Sequence, residues 1–158
     1  MDRLQRVMLA NGLLVVLVSM FAGFMLMFSL LGGLEVWPGT IVAIPVYGTD
    51  EGWVRAHSGG AMNGLLVIVI GLALPKLNLS PLMQRLTAYG FIYVGWAFTV
   101  FYWLGNAAGN RALTIGDNPL GASDLVGVIG FLPGLPSVVI VVILLAVAAR
   151  RVLSAHRE

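Results

Sequence analysis

The segment AHSGGAMNGLLVIVIGLAL occupies residues 56–74 and contains no charged residue in 19 positions. A helix needs about 20 apolar residues to cross the hydrocarbon core of a bilayer, which is roughly 30 Å thick. The segment lacks the strict alternation of a barrel strand, and backbone polar groups in lipid must be satisfied within the segment itself. We therefore expect a transmembrane helix in this part of the chain.

Three further stretches, residues 7–34, 86–104 and 125–149, are also free of charge. Hydrophobic residues make up 59% of the 158 residues and charged residues only 10%, well below the quarter that is usual in soluble domains. The sequence predicts an all-α fold, a four-helix transmembrane bundle that forms a single domain over residues 1–158. The helices are expected at about 7–34, 56–74, 86–106 and 125–149, with outer loops at 35–55 and 107–124.

Basic residues are distributed unevenly between the two sides of such a bundle. Seven of the nine lie at the termini or between the second and third spans, whereas the two outer loops contain only Arg55 and Arg111. Because cytoplasmic loops carry the excess of Lys and Arg, we expect both termini in the cytoplasm and the protein in a bacterial inner membrane. The basic residues of the expected cytoplasmic side are Arg3, Arg6, Lys76, Arg85, Arg150, Arg151 and Arg157.

Composition also excludes several classes of function. The chain has no cysteine, which rules out disulfides, thiolate catalysis, Cys-ligated zinc and iron–sulfur clusters. Its net charge is only +2 and its basic residues are dispersed, so no nucleic acid partner is expected. The first outer loop is too apolar and aromatic for a disordered linker. We expect it to form a cap on the outer face of the bundle, with Trp37, Tyr47 and Trp53 at headgroup depth.

His57 is the main candidate for chemistry, because it lies in the expected first turn of the second span. Side chains on its helix face one and two turns deeper are minimal, at Gly60, Ala61 and Gly64, which predicts a shallow groove beneath the imidazole. Either a flat macrocycle such as haem or a neighbouring helix fits that groove, since Gly60 and Gly64 also form a GxxxG packing motif. Without a ligand, His57 is simply an interfacial histidine wetted by headgroups. Asn63 lies about 9 Å deeper and is either functional or engaged in an interhelical hydrogen bond.

Tyr102 and two arginines are further candidates near the outer side. Tyr102 lies near the outer end of the third span and is either a hydrogen-bond donor in a pocket or an interfacial belt tyrosine. Arg55 and Arg111 are the only cations expected on this side. They pair with haem propionates if His57 binds haem, or with nearby acidic residues if it does not.

The sequence resembles the styrene oxide isomerase family over about residues 11–124, in order and without large gaps. The string EGWVRAHSG at 51–59 is the most specific segment of this resemblance. Further matching segments are LGGLE (31–35), PG (38–39), NG (63–64), GWA (95–97), FY (101–102), NRALT (110–114) and GDNPLG (116–121) with Asp124.

The resemblance implies a trimer of four-helix subunits with haem b at the subunit interfaces, and a ferric iron held by the histidine that matches His57. It further implies that the iron binds the oxygen of a small apolar epoxide as a Lewis acid, and that ring opening and a hydride shift give the aldehyde. Asn63 and Tyr102 match polar pocket residues that position the epoxide. One position departs from the family, because Val94 stands where the family has a pocket aspartate just before the Gly-Trp of the third helix.

Two functions from different classes are consistent with these residues. One is a haem-dependent isomerase that converts an aryl epoxide to the aldehyde. The alternative is a non-enzymatic haem protein of the membrane, either a sensor or an electron carrier, which needs a second axial ligand such as Met62. A weaker third hypothesis is a structural bundle without a cofactor.

Overall fold

A computed structural model describes residues 1–154; the basic residue Arg157 therefore lies outside the described residues. Four long helices dominate the fold, and a short hairpin follows the first of them. The elements are α1 (Arg3–Leu31), β1 (Gly33–Trp37), β2 (Thr40–Ala43), α2 (Asp50–Ala73), a 3-10 turn (Leu74–Leu77), α3 (Pro81–Ala107) and α4 (Leu125–Ser154).

The all-α class with four helices is confirmed, and three of the helical segments are long and apolar enough to cross a membrane. These are Arg3–Leu31, Asp50–Leu77 and Leu125–Ser154. Helix α3 has 27 residues but is not among them. Its many tyrosine, tryptophan and threonine side chains carry polar atoms and lower its hydropathy.

The helices begin and end at capping residues rather than at the nearest charges. Asp2 forms a capping box with Gln5, so α1 starts four residues before the expected span, and it ends at Gly32, whose φ of 67° is left-handed. Thr49 caps α2 by accepting from the backbone N–H of Gly52 at 3.1 Å, which moves its start to Asp50. The uncharged runs of the sequence therefore mark the apolar part of each helix, whereas the capping side chains determine where the helix begins or ends.

The first outer loop contains an antiparallel hairpin that the sequence analysis missed. Strands β1 and β2 pair Gly33 with Ala43, and Gly39 provides a left-handed φ of 80° at the turn between them. Trp37 is exposed as expected of a headgroup-facing residue, with 73% of its surface accessible. Trp53, expected in the loop, belongs to α2 instead; its side chain is fully buried, and its indole N–H donates to the Tyr47 carbonyl at 2.8 Å.

Helices α1 and α2 are in direct backbone contact through glycines. A Cβ at Gly64 would lie 2.7 Å from the carbonyl oxygen of Gly12, and a Cβ at Gly12 would lie 2.8 Å from the carbonyl oxygen of Gly64. Small residues permit this close approach between helices in lipid, where van der Waals packing replaces the hydrophobic effect as the driving force. The contact fixes the rotation of α2 about its own axis, and with it the direction of His57.

We expect Gly64→Val to destabilise the folded protein in detergent by about 1–3 kcal/mol, because the added carbons overlap the α1 backbone. Gly116→Ala is the matched control, since nothing lies within 4 Å of a Cβ at that position. Thermal unfolding followed by circular dichroism compares the two variants. Equal melting temperatures would contradict the close α1–α2 contact.

Candidate functional site

His57 lies two turns inside α2, and its imidazole packs against α1. Its Nδ1 is 2.9 Å from the carbonyl oxygen of Ser19, and a Cβ at Gly23 would lie 2.8 Å from the same nitrogen. A carbonyl oxygen only accepts, so Nδ1 carries the hydrogen and Nε2 keeps its lone pair. Histidines that bind metals typically donate their other ring nitrogen to a carbonyl or carboxylate in this way. The half-buried ring is thus oriented by α1 and is not simply wetted by headgroups.

We expected an open groove beneath His57, and this expectation is wrong at two of its three positions. Helix α1 covers Gly60, where a Cβ would meet the Ser19 side chain at 2.8 Å, and it covers Gly64 as described above. These two glycines serve helix packing, the alternative that their GxxxG spacing also indicated. Ala61, by contrast, stays half-buried, so α1 does not cover this third position completely.

A haem fits His57 better than a metal site built from several side chains. No cluster of three or more His, Cys, Asp or Glu side chains occurs within residues 1–154. A porphyrin provides four of the iron ligands itself, so one histidine with a free Nε2 is sufficient. No protein group within the described part of the chain hydrogen-bonds to that nitrogen.

Tyr102 projects from α3 onto Gly59 of α2, on the other side of α2 from His57. A Cβ at Gly59 would lie 2.8 Å from the tyrosine ring and 3.1 Å from its hydroxyl oxygen. Phe98 and Phe101 pack on the ring at centroid distances of 6.0 and 5.6 Å. The hydroxyl forms no hydrogen bond to any residue between 1 and 154. The half-buried phenol is therefore held in place by apolar contacts, with its polar group unused.

Asn63 lies one turn from Gly59 on the same face of α2. Its Nδ2 is buried and has no partner among the described residues, so the interhelical hydrogen bond considered for it is not formed by that atom. A buried donor without a partner costs about 1–3 kcal/mol. Asn63 and Tyr102 thus each have an unused hydrogen-bond donor on the same side of α2.

Arg55 and Arg111 line one cleft of about 100 Å³ together with Tyr102 and Asn106. Neither arginine forms an ion pair with an acidic side chain inside residues 1–154; Arg55 instead donates through Nε to the Glu51 carbonyl at 3.3 Å. The amide Nδ2 of Asn106 is buried without a partner there as well. The pairing with nearby acids considered for the two arginines is thus absent from this part of the chain, and the cleft contains three groups suited to an anion.

The second outer loop holds Arg111 at this cleft through an ordered turn. Asn110 is completely buried, and its side chain bonds the backbone of Ala112, Thr114 and Gly116 at 2.9–3.1 Å. These bonds support left-handed φ angles at Arg111 (56°) and Ala112 (54°), which are unusual for residues with a Cβ. This part of the loop is therefore held in one conformation by side-chain hydrogen bonds.

The candidate residues form two groups rather than one site. Two residues along an α-helix rotate the side-chain direction by about 200°, so His57 faces α1 while Gly59, and Tyr102 above it, lie on the opposite side. Arg55 and Arg111 belong to the Tyr102 side. Sequence analysis missed Ser19 and Gly23, because no local pattern links positions on α1 to a histidine some 38 residues later.

Two comparisons with known proteins match most of the chain. A family model described as styrene oxide isomerase matches residues 4–153. The styrene-oxide isomerase of Pseudomonas fluorescens is 37% identical over 129 residues, which are 82% of this chain and 76% of that relative.

We expect Gly23→Ala to break the bond between His57 and Ser19, because the new methyl group displaces the imidazole. Modification of His57 by diethyl pyrocarbonate, measured by peptide mass spectrometry, should then become several-fold faster. Gly116→Ala is again the control. An unchanged rate in Gly23→Ala would show that α1 does not hold the ring.

Proposed function

Because the chain belongs to the styrene oxide isomerase family, we propose that it converts an aryl epoxide of the styrene oxide type to the corresponding aldehyde. It is an enzyme, an epoxide isomerase. The observation that carries the proposal is that two polar groups with no partner in the described chain lie on the same side of α2: the Tyr102 hydroxyl, which is against Gly59, and the Nδ2 of Asn63, one turn further along the helix. Two such donors next to the aromatic rings of Phe98 and Phe101 suit a small apolar ligand with a single oxygen atom.

Ferric haem b is the proposed cofactor, with His57 Nε2 as its one protein ligand. When bound, the haem supplies a Lewis acid to the epoxide oxygen, so that ring opening and a 1,2-hydride shift give the aldehyde. The Ser19 carbonyl supports this role of His57, since it fixes the tautomer with a lone pair on Nε2. Met62 does not support the alternative of an electron carrier with two axial ligands. It is 70% exposed and lies five positions along α2, about 140° away from His57.

Tyr102 and Asn63 orient the epoxide in this mechanism. Both groups can donate to its oxygen, which gains negative charge as the carbon–oxygen bond breaks. Val94 is 1% exposed and provides no carboxylate to stabilise the positive charge that develops on carbon. We therefore propose substrates whose own aryl group delocalises that charge.

A homo-oligomer, a trimer by family resemblance, is the proposed assembly. His57 and Tyr102 lie on opposite sides of α2, so one copy cannot bring both to one substrate. A second copy whose Tyr102 side faces His57 of the first completes the site. Arg55 and Arg111 of that second copy then reach the haem propionates, which agrees with their lack of acidic partners within residues 1–154.

All four helices are proposed to cross a bacterial inner membrane with both termini in the cytoplasm. Helix α3 packs along α2, with Asn106 against Gly52 near one end and Gly95 against Val67 further along. A short connection at 78–80 then joins the 3-10 turn after α2 to the start of α3. If α2 spans the membrane, α3 must return through it. The excess of basic residues at one end of the bundle supports the orientation.

We expect His57→Ala to abolish the Soret band of protein purified in detergent, because no other histidine lies within residues 1–154. Met62→Ala is the control and should keep the band. A Soret band of equal strength in His57→Ala would remove the haem proposal.

Tyr102→Phe should retain haem and lower turnover about 10–100-fold, the effect of losing one hydrogen bond that strengthens as charge develops. Tyr93→Phe is the matched control, since it also loses a phenolic hydroxyl, one that donates to the Pro133 carbonyl at 3.0 Å away from the cleft. Phenylacetaldehyde formation from styrene oxide under anaerobic conditions measures turnover. Parallel loss of haem and activity in Tyr102→Phe would assign the residue a structural role instead.

A further inference from the structure

An apolar groove follows the seam between α3 and α4 in the half of the bundle next to the α2–α3 turn. Its volume is about 390 Å³. Gly90 contributes no side chain to the groove, and a Cβ at this position would lie 2.6 Å from Leu144 Cδ1. Arg85 lies at one end of the groove. The lining residues are Arg85, Leu86, Tyr89, Gly90, Ile140, Ile143 and Leu144.

A second cavity continues the same seam to the end of α4. It has a volume of about 450 Å³ and is lined by Met83, Val147, Arg150, Arg151 and Ser154. Met83 lies one turn before Leu86 on α3, and Val147 lies one turn after Leu144 on α4. The apolar groove and the cavity that contains Arg150 and Arg151 therefore follow one another along the same pair of helices.

The arginines of this seam have no acidic partner in the described chain. Neither α3 nor α4 contains an aspartate or glutamate, and no ion pair within residues 1–154 involves Arg85, Arg150 or Arg151. The only acid that the described residues place near this end of the bundle is Asp2, whose carboxylate already accepts from the Gln5 backbone at 2.8 Å. Within residues 1–154, a second copy of the chain therefore offers these arginines no acidic side chain at this end of the bundle other than Asp2.

We propose that the α3–α4 seam binds an anionic phospholipid of the cytoplasmic leaflet. Arg150 and Arg151, with Arg85 beside them, hold the headgroup phosphate, and one acyl chain lies along Leu86, Ile140 and Ile143. Basic pockets between helices on the cytoplasmic side are suited to such lipids. Their arginines lie at the depth of the charged headgroup, and their apolar residues lie at the depth of the acyl chain. This inference is independent of the epoxide site and of the cofactor.

Native mass spectrometry of the detergent-purified protein with added phosphatidylglycerol or phosphatidylcholine tests the proposal. The wild type should retain phosphatidylglycerol preferentially. Replacing Arg85, Arg150 and Arg151 by Gln should weaken retention by about fivefold per arginine. The control replaces Arg3, Arg6 and Lys76 by Gln, which removes the same charge from the same side of the membrane, and should keep the preference.

A second variant and a competitor separate the lipid from other occupants. Ile143→Trp fills the groove from an exposed position and should lower phosphatidylglycerol retention without a change of charge. Glycerol phosphate, which has the headgroup chemistry but no acyl chain, should not displace the lipid. Equal loss of preference in the control triple variant, full retention in Ile143→Trp, displacement by glycerol phosphate, or dissociation of subunits in the seam variants would each overturn the proposal.

Discussion

The backbone contact between α1 and α2 is the constraint on which the candidate site depends. Gly12 and Gly64 allow each helix to reach the carbonyl of the other, and Gly60 lies directly on Ser19. This contact sets the rotation of α2, so that His57 meets Ser19 and Gly23 while Gly59 faces Tyr102. Gly12 and Gly64 have no functional side chain, but their contact determines which residues His57 and Tyr102 can reach.

Unused hydrogen-bonding groups distinguish this bundle from one built only for packing. Most buried polar groups in proteins have partners, and the indole N–H of Trp96 illustrates this with its 2.9 Å bond to Asn11 near the other end of α1. The Nδ2 atoms of Asn63 and Asn106 and the Nε1 atom of Trp103, by contrast, are buried without a partner within the described residues. The Tyr102 hydroxyl likewise has no hydrogen-bond partner there, and neither Arg55 nor Arg111 has an acidic one. Four of these side chains, Tyr102, Asn106, Arg55 and Arg111, line the same cleft.

Several elements could be predicted because they depend on local composition. Long uncharged runs indicated four helices, and the string EGWVRAHSG carried a resemblance that the family match confirms. The hairpin at Gly33–Ala43 was missed, since its register depends on pairing rather than on apolar alternation. Trp53 was misplaced because a headgroup tryptophan and a buried one have the same sequence signature. Only the Thr49 cap and the bond to Tyr47 distinguish them.

The sequence by itself determined the class of the protein, its helices, the one histidine available within residues 1–154 and the family, because each follows from residue type and order along the chain. Tertiary structure decided that α1 fills the groove at Gly60 and Gly64, that His57 donates to Ser19, and that Tyr102 lies on the far side of α2. These facts depend on the rotation of one helix against another. That rotation is set by contacts between residues some 38 to 57 positions apart, which no local pattern records.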